Sequence, residues 1–469
     1  MEAGPRQTRP VIHPSPPVKR MQLNVLQRIN ACSSKHAPLS MCQAFGSLRV
    51  MMRVEGIVPI LVGNAGCVYG LDFVSHFYAA RKSVLTPVYT AADLTNGRIE
   101  DRTRAAVAET IAQFNPRVIA LITLCNEETV GLAIDAIAKD YAARAKDDPT
   151  FPLVVPMHVP GYGVKSHAEA KDIAASQLLK CLVERDGLPP RQADTASTIG
   201  EVFPADPLYL EQLLAKMDIR LVAHIPSRTI GDFRKVLGVG VNVTLHPFYT
   251  KTCALLAKYK IPSMGCTPVG VEGTRTWIER IGKAFNVRPS LIETLAETES
   301  RAVAEVFART PVRGRIIVAG YEGSELMVAR LLIEAGAEVP YVSTNIGQTP
   351  FTKEDEAWLA AHGATVVFRK TFDQDVIAVD EYKPDLVLGT TALAAYAKER
   401  GIPSMYFTNI FASRPLFLAQ GAQTIAELVS QAIARRSAYQ HLTDFFADVD
   451  EYAEAAEPLP TEGTAVPSV

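Results

Sequence analysis

Short apolar runs rich in β-branched residues recur along the chain and alternate with stretches long enough for amphipathic helices. Ile57–Val62, Val118–Leu124, Leu153–Val155, Leu221–Ile225, Val241–Leu245, Arg315–Ala319, Ala364–Phe368 and Asp385–Leu388 stand out. A strand covered on both faces is apolar throughout, whereas a strand with one wet face alternates, so these runs predict buried strands of parallel α/β sheets. Helix punctuation agrees. Ser166-x-x-Glu169 is a capping-box pattern, and Leu326, Ala329 and Ile333 share one face of a helix that opens at Ser324 and ends at Gly336. The chain also echoes itself. A helix ending near Lys258 leads into Ile261-Pro262-Ser263-Met264, as one ending near Arg400 leads into Ile402-Pro403-Ser404-Met405. Phe114-Asn115-Pro116 enters its strand as Tyr382-Lys383-Pro384 enters another. A repeated strand–helix unit predicts three Rossmann-like domains, at 38–188, 189–310 and 311–447, between an N-terminal arm (1–37) and a C-terminal tail (448–469).

Composition supports several domains, since 469 residues with 48% hydrophobic side chains exceed the roughly 250–300 at which one core stops growing. A formal net charge of −2 leaves no electrostatic footprint for nucleic acid or an anionic membrane, so proteins and small molecules are the expected partners. No apolar run reaches the ~18 residues of a membrane span, and the start (Pro5, Arg6, Arg9, Pro10) lacks the apolar segment of a signal peptide. The expectation is a cytoplasmic protein. Seven cysteines in so long a chain argue against a disulfide framework and leave each as packing, metal ligand or reactive thiol.

Ligands of open parallel sheets bind outside the carboxyl ends of the strands. Cys67 follows Ile57–Val62 through Gly63-Asn64-Ala65-Gly66, Cys125 caps Val118–Leu124, and Cys42 lies just before a helix beginning near Gln43, whose dipole favours a thiolate. Three thiols from three loops suit a soft metal site, such as an iron–sulfur cluster with room for an external ligand, and equally suit buried packing. The chain has no C-x-x-C, H-E-x-x-H or G-x-x-x-x-G-K-[ST] pattern, which speaks against zinc and against ATP bound here. Gly320-Tyr321-Glu322-Gly323-Ser324-Glu325 reads as a tight strand-to-helix turn. His246 ends a predicted strand, either as a proton donor or as a loop-capping histidine. Cys253 and Cys266 either line the same cleft or pack. His76 and His167 sit at predicted helix starts without a distinguishing pattern.

The spacing of Cys42, Cys67 and Cys125 resembles that of nitrogenase component 1 subunits, whose architecture is also three Rossmann-like domains. Longer segments resemble the Y-subunit family of chlorophyllide a reductases. They are Met41-Cys42-Gln43-Ala44-Phe45-Gly46-Ser47-Leu48-Arg49-Val50, Cys67-Val68-Tyr69-Gly70, Ser75-His76-Phe77-Tyr78, Val159-Pro160-Gly161-Tyr162-Gly163 and His167-Ala168-Glu169-Ala170-Lys171-Asp172, followed by Phe203-Pro204-Ala205-Asp206-Pro207, His246-Pro247-Phe248-Tyr249-Thr250, Gly320–Leu326 and Tyr406-Phe407-Thr408-Asn409. The resemblance implies the catalytic component of an ATP-dependent reductase. Cys42, Cys67 and Cys125 would hold a [4Fe–4S] cluster, with the fourth ligand from a homologous Z-like subunit in a heterotetramer. An ATP-hydrolysing iron protein would feed electrons through that cluster to chlorophyllide a, in bacteriochlorophyll biosynthesis. The tetrapyrrole is then expected near His246, Phe248 and Tyr249, which end a strand facing the inter-domain cleft, with His246, water or a partner carboxylate as proton donor. Two departures lie beside the cysteines: Gly66 precedes Cys67 where that family pairs cysteines, and Asn126-Glu127-Glu128 follows Cys125 where it reads Val-Pro-Thr. Methylthio-alkane reductases, with larger clusters and a thioether substrate, and metallocluster assembly scaffolds are the alternatives. Met405–Gln420 contains no histidine, where the catalytic nitrogenase subunit places a cofactor ligand, and this favours the tetrapyrrole.

Overall fold

A computed structural model describes residues 42–76, 84–148, 150–200, 206–265, 267–412 and 414–445. The expected arm and tail, with Cys32 and Cys266, lie outside the described residues. Among the described residues twelve strands form three sheets, each drawn from one contiguous stretch of chain. The first holds β1 (Ile57–Val62), β2 (Val118–Thr123) and β3 (Leu153–His158), side by side in that order. The second runs β5-β4-β6-β7, from β4 (Gln192–Ile199), β5 (Arg220–Ile225), β6 (Val239–Thr244) and β7 (Ser263–Gly265). The third runs β10-β9-β8-β11-β12, from β8 (Arg315–Ala319), β9 (Glu338–Thr344), β10 (Thr365–Phe368), β11 (Leu386–Gly389) and β12 (Ser404–Tyr406). All pairings are parallel. This is what buried, uniformly apolar strands separated by helices require.

The echoed segments adopt matching structures. The helices Thr250–Lys258 and Thr391–Glu399 each lead into a three-residue edge strand, β7 and β12. Asn115 and Lys383, each before a proline, both end their helices in the left-handed region, at φ 42° and 46°. A residue before proline is excluded from the helical region, so the chain turns there. The expected capping box at Ser166 is a single cap. Ser166 accepts from the Glu169 N–H at 3.2 Å, while the Glu169 carboxylate reaches out to Arg369.

The sheets share cores. One cluster joins the helix Ala44–Met52 and the helix His167–Asp186 to Phe233, Leu237, Phe248, Tyr249 and Leu256 of the second sheet's layer. A second cluster joins Leu210, Leu214 and Val243 to Ile316, Val318 and Leu331 through the helices Gly270–Ala284 and Pro289–Arg309. Those two helices, expected to belong to the second domain, therefore pack on the second and third sheets together. The first and second layers cannot slide apart without exposing Phe248 and Tyr249, whose burial contributes roughly 1.5–3 kcal/mol each.

Candidate metal centre

Each cysteine of the expected set stands at the start of a helix beside the first sheet. Cys42 precedes the helix Ala44–Met52, and its carbonyl accepts from the Phe45 N–H at 3.0 Å. That helix is buried along its whole length and is pinned by Ser47, whose hydroxyl donates to the Ala170 carbonyl at 2.8 Å. Gly46 permits the approach, because a Cβ there would lie 1.8 Å from the His167 carbonyl oxygen. Cys67 is not in a loop as expected. The turn after β1 is only Gly63-Asn64, and Cys67 is the third residue of the helix Ala65–His76, with the Asn64 side chain accepting from the Cys67 N–H at 3.0 Å. A short polar side chain before a helix satisfies its orphan donors, which lets the helix begin early. His76 lies within this helix, well past its start, instead of opening one. Cys125 opens the short helix Cys125–Thr129, and its thiol accepts from the Gly161 N–H at 3.1 Å.

The three thiols influence one another. Burial pushes the Cys42 thiol up, the Ala44 N–H opposes this, and the negative charge that Cys125 and Cys67 would carry pushes it up further. A bound cation or cluster relieves that mutual repulsion. Gly161 completes the cradle, since a Cβ on it would touch the Cys125 sulfur and the Gln43 side-chain oxygen, both at 3.3 Å. Among the described residues no three His, Cys, Asp or Glu side chains converge tightly enough for one metal ion. A single ion holds thiolates at ~2.3 Å from its centre. An iron–sulfur cluster instead takes each thiolate on a different iron and spreads them apart. Three thiols at three separate helix starts suit the soft irons of such a group. Beside Cys67 in the same helix, Tyr69 (73% exposed) stacks on Phe73 (53%), and Tyr162 (60%), next to Gly161, accepts from Thr129 of the Cys125 helix.

The other described cysteines behave as packing. Cys181 is half-buried and Cys253 buried, and burial pushes each thiol up to about 11. Cys253 shares a hydrogen bond with the Thr244 hydroxyl at 3.1 Å. His246, Phe248 and Tyr249 follow β6, but all are buried, at 3%, 2% and 0% exposure. Phe248 stacks on Tyr249 with ring centroids 4.6 Å apart, lies under Lys171 at 5.8 Å, and would meet a Cβ on Gly323 at 2.5 Å. It thus fills the junction of all three layers, so the side chains expected near the tetrapyrrole are packed against one another, Lys171 and Gly323. A cavity of about 240 Å³ opens nearby, between the second and third layers, lined by Thr244, Pro247, Arg280, Arg330, Phe351 and Trp358.

Sequence reasoning missed a buried charge cluster at that junction. Glu322, in the loop after β8, accepts from Lys171 at 2.9 Å, from Thr408 at 2.8 Å and from Arg49 at 3.4 Å, and bonds His167 Nε2 at 3.0 Å. All five side chains are nearly or wholly buried. Burial alone would push the Glu322 carboxyl up, but Lys171, His167 and Arg49 hold it well below the ordinary 4.5. Burial lowers His167, against the opposing pull of Glu322. Glu325, equally buried, accepts from the Glu322 and Gly323 N–H groups and from Thr344. Two acids in a glycine loop after a buried strand were the available signal.

Three parallel-sheet layers, with three thiols at helix starts on the first, define a nitrogenase-like oxidoreductase. The chain belongs to the nitrogenase component 1 type oxidoreductase family, which it matches over residues 42–434. It is 37% identical over 422 residues to the chlorophyllide reductase 52.5 kDa chain of Cereibacter sphaeroides, covering 88% of this chain and 82% of that one. It is 22% identical over 448 residues to the nitrogenase molybdenum-iron protein beta chain of Methanococcus maripaludis, covering 84% and 94%. A solved structure titled "Nitrogenase Cp1 at pH 6.5" superposes with a TM-score of 0.71 at 22% identity, covering 86% of this chain and 94% of that one. Membership implies metal–sulfur chemistry and work within a multi-subunit assembly. Among the described residues no helix is long and apolar enough to cross a membrane.

Proposed function

We propose that this chain is the three-cysteine subunit of an ATP-driven tetrapyrrole reductase acting on chlorophyllide a. Cys42, Cys67 and Cys125 are the ligands of a [4Fe–4S] cluster, and a homologous Z-like partner supplies the fourth ligand within a heterotetramer. The observation that carries the reading is the 37% identity to a chlorophyllide reductase chain across 82% of its length. A cluster bound there supplies low-potential one-electron transfer. The chain's own residues prepare for it in three ways. Helix starts carry Cys42, Cys67 and Cys125 beside the first sheet. The Gly161 N–H donates to the Cys125 sulfur, which stabilises added negative charge. Tyr69, Phe73 and Tyr162 offer an apolar rim that a partner subunit covers, excluding water from the site. ATP belongs to a separate iron protein, in keeping with the missing phosphate-binding loop.

The test is anaerobic reconstitution of the complex with its iron protein, ATP and chlorophyllide a. The expected result is the red-shifted absorption of a bacteriochlorin. Release of a hydrocarbon and a thiol from a methylthio-alkane, with chlorophyllide unchanged, would contradict the substrate. Transfer of a preformed cluster to another apoprotein, with no substrate reduced, would contradict the enzyme reading in favour of an assembly scaffold.

A further inference from the structure

The helix that presents Cys125 has five residues and no side-chain N-cap, so its own hydrogen bonds do little to fix where the thiol points. Its position is instead set from β3. His158 is the last residue of β3 and lies opposite Thr123 in the β2–β3 register. Its Nδ1 bonds the Glu128 carboxylate at 2.7 Å, and its Nε2 bonds Asp135 at 2.9 Å. The Thr123 hydroxyl also donates to Glu128. Glu128 is the fourth residue of the Cys125 helix, and its side chain is only 17% exposed. Three residues beyond His158, the Gly161 N–H donates to the Cys125 sulfur. One segment of chain, 158–161, therefore grips the Cys125 helix at both ends, by imidazole to carboxylate at Glu128 and by backbone to sulfur at Cys125.

We propose that His158 is a positioning residue for Cys125: through Glu128 it holds the short helix in the register at which the Gly161 N–H meets the thiol. This rests on the reading of Cys125 as a cluster ligand. The imidazole touches neither thiol nor substrate and acts only through Glu128. The carboxylates facing it are Glu128 on the Cys125 helix and Asp135 on the helix Ile134–Asp147. Loss of the ring leaves Glu128 to the Thr123 hydroxyl alone, lets the helix shift, and weakens the N–H···S bond. A sulfur that loses a hydrogen bond stabilises the reduced cluster less, so the potential moves to more negative values.

The test compares wild type with His158→Ala, His158→Asn and Cys125→Ser in the complex purified anaerobically with its partner subunit, by iron content, electron paramagnetic resonance and redox titration. The Asn side chain places an N–H donor where Nδ1 stood and keeps the bond to Glu128. The expected outcome for His158→Ala is iron content close to wild type, an altered resonance signal and a more negative midpoint potential, with His158→Asn restoring both signal and potential. Wild-type signal and potential in His158→Ala, or an equal disturbance in both His158 variants, would overturn the inference. Should His158→Ala fail to assemble, assembly of His158→Asn with a wild-type signal supports it, and failure of both overturns it. Cys125→Ser separates the two levels of argument: full iron in that variant defeats the ligand reading itself, whereas iron loss there with an unchanged His158→Ala defeats only the clamp.

Discussion

Replacing Glu322 with Gln removes one negative charge from the junction of the three layers and turns one acceptor oxygen into a donor, while leaving shape almost intact. In the wild type that charge is shared by Lys171 at 2.9 Å, His167 at 3.0 Å and Arg49 at 3.4 Å, with Glu322 itself 2% exposed. Removing one partner from a buried ionic cluster costs about 3–5 kcal/mol, because the remaining charges stay desolvated. Unfolding entropy of ~2.1 cal/mol/K per residue, over a body of roughly 400 residues, converts this into a fall of about 4–6 °C if the layers unfold together. The shared cores make that joint unfolding the expectation. The assay is calorimetry at pH 7.5 on wild type, Glu322→Gln, Lys171→Met and the double variant. The double variant is expected to recover part of the loss, since it removes a cation along with the anion. The sign with pH follows from the depressed carboxyl: its contribution is present above the ordinary 4.5 and is lost as pH falls through the lower folded value. His167, lowered by burial, acts in the same direction, its contribution being present above 6.5 and fading below it. The gap between wild type and Glu322→Gln therefore narrows in acid. A shift under about 1 °C, or strict additivity of the two single variants, would refute the reasoning.

Gly161→Ala places a Cβ 3.3 Å from both the Cys125 sulfur and the Gln43 side-chain oxygen, so iron content of the complex is expected to fall while thermal stability changes by less than about 1 kcal/mol; unchanged iron content contradicts the cradle. Asp172 caps the helix Thr250–Lys258 through the Lys251 and Thr252 N–H groups, and burial pushes its carboxyl up to about 6. Its stabilising effect is thus fully present below the ordinary 3.8 and is lost as pH rises through about 6. Asp172→Asn is expected to melt below wild type by a margin that is larger at pH 5 than at pH 8, and a margin independent of pH counts against this assignment.

The apolar strands of the three sheets were legible because a doubly covered parallel strand must be apolar, and the observed bounds differ from the expected ones by no more than a few residues. β4 was not legible. Gln192-Ala-Asp-Thr-Ala-Ser-Thr-Ile199 has two alanines and one isoleucine, yet it lies at the centre of the second sheet. Its buried hydroxyls are satisfied side chain to side chain, Ser197 by Asn242 and Thr198 by His224, which no hydrophobic pattern records. Pro340 similarly disguised β9. The cysteines were legible as strand-end residues, but the Asn64 cap that draws Cys67 into a helix was not read from the sequence. Glu322 was invisible for another reason: its partners Arg49, His167, Lys171 and Thr408 are scattered along the chain, and only the packing of one layer on another brings them to a common point.

The most direct test of the account is iron content and visible absorbance of the anaerobically co-purified complex, measured for single Ser variants of all five described cysteines. With wild type expected to hold about four iron atoms per pair of subunits, loss of the cluster absorbance and of most of the iron is expected for Cys42→Ser, Cys67→Ser and Cys125→Ser. Cys181→Ser and Cys253→Ser, which alter thiols held in packing, are expected to retain both. Full iron content in the first three variants, or its loss in the last two, would contradict the assignment of the site.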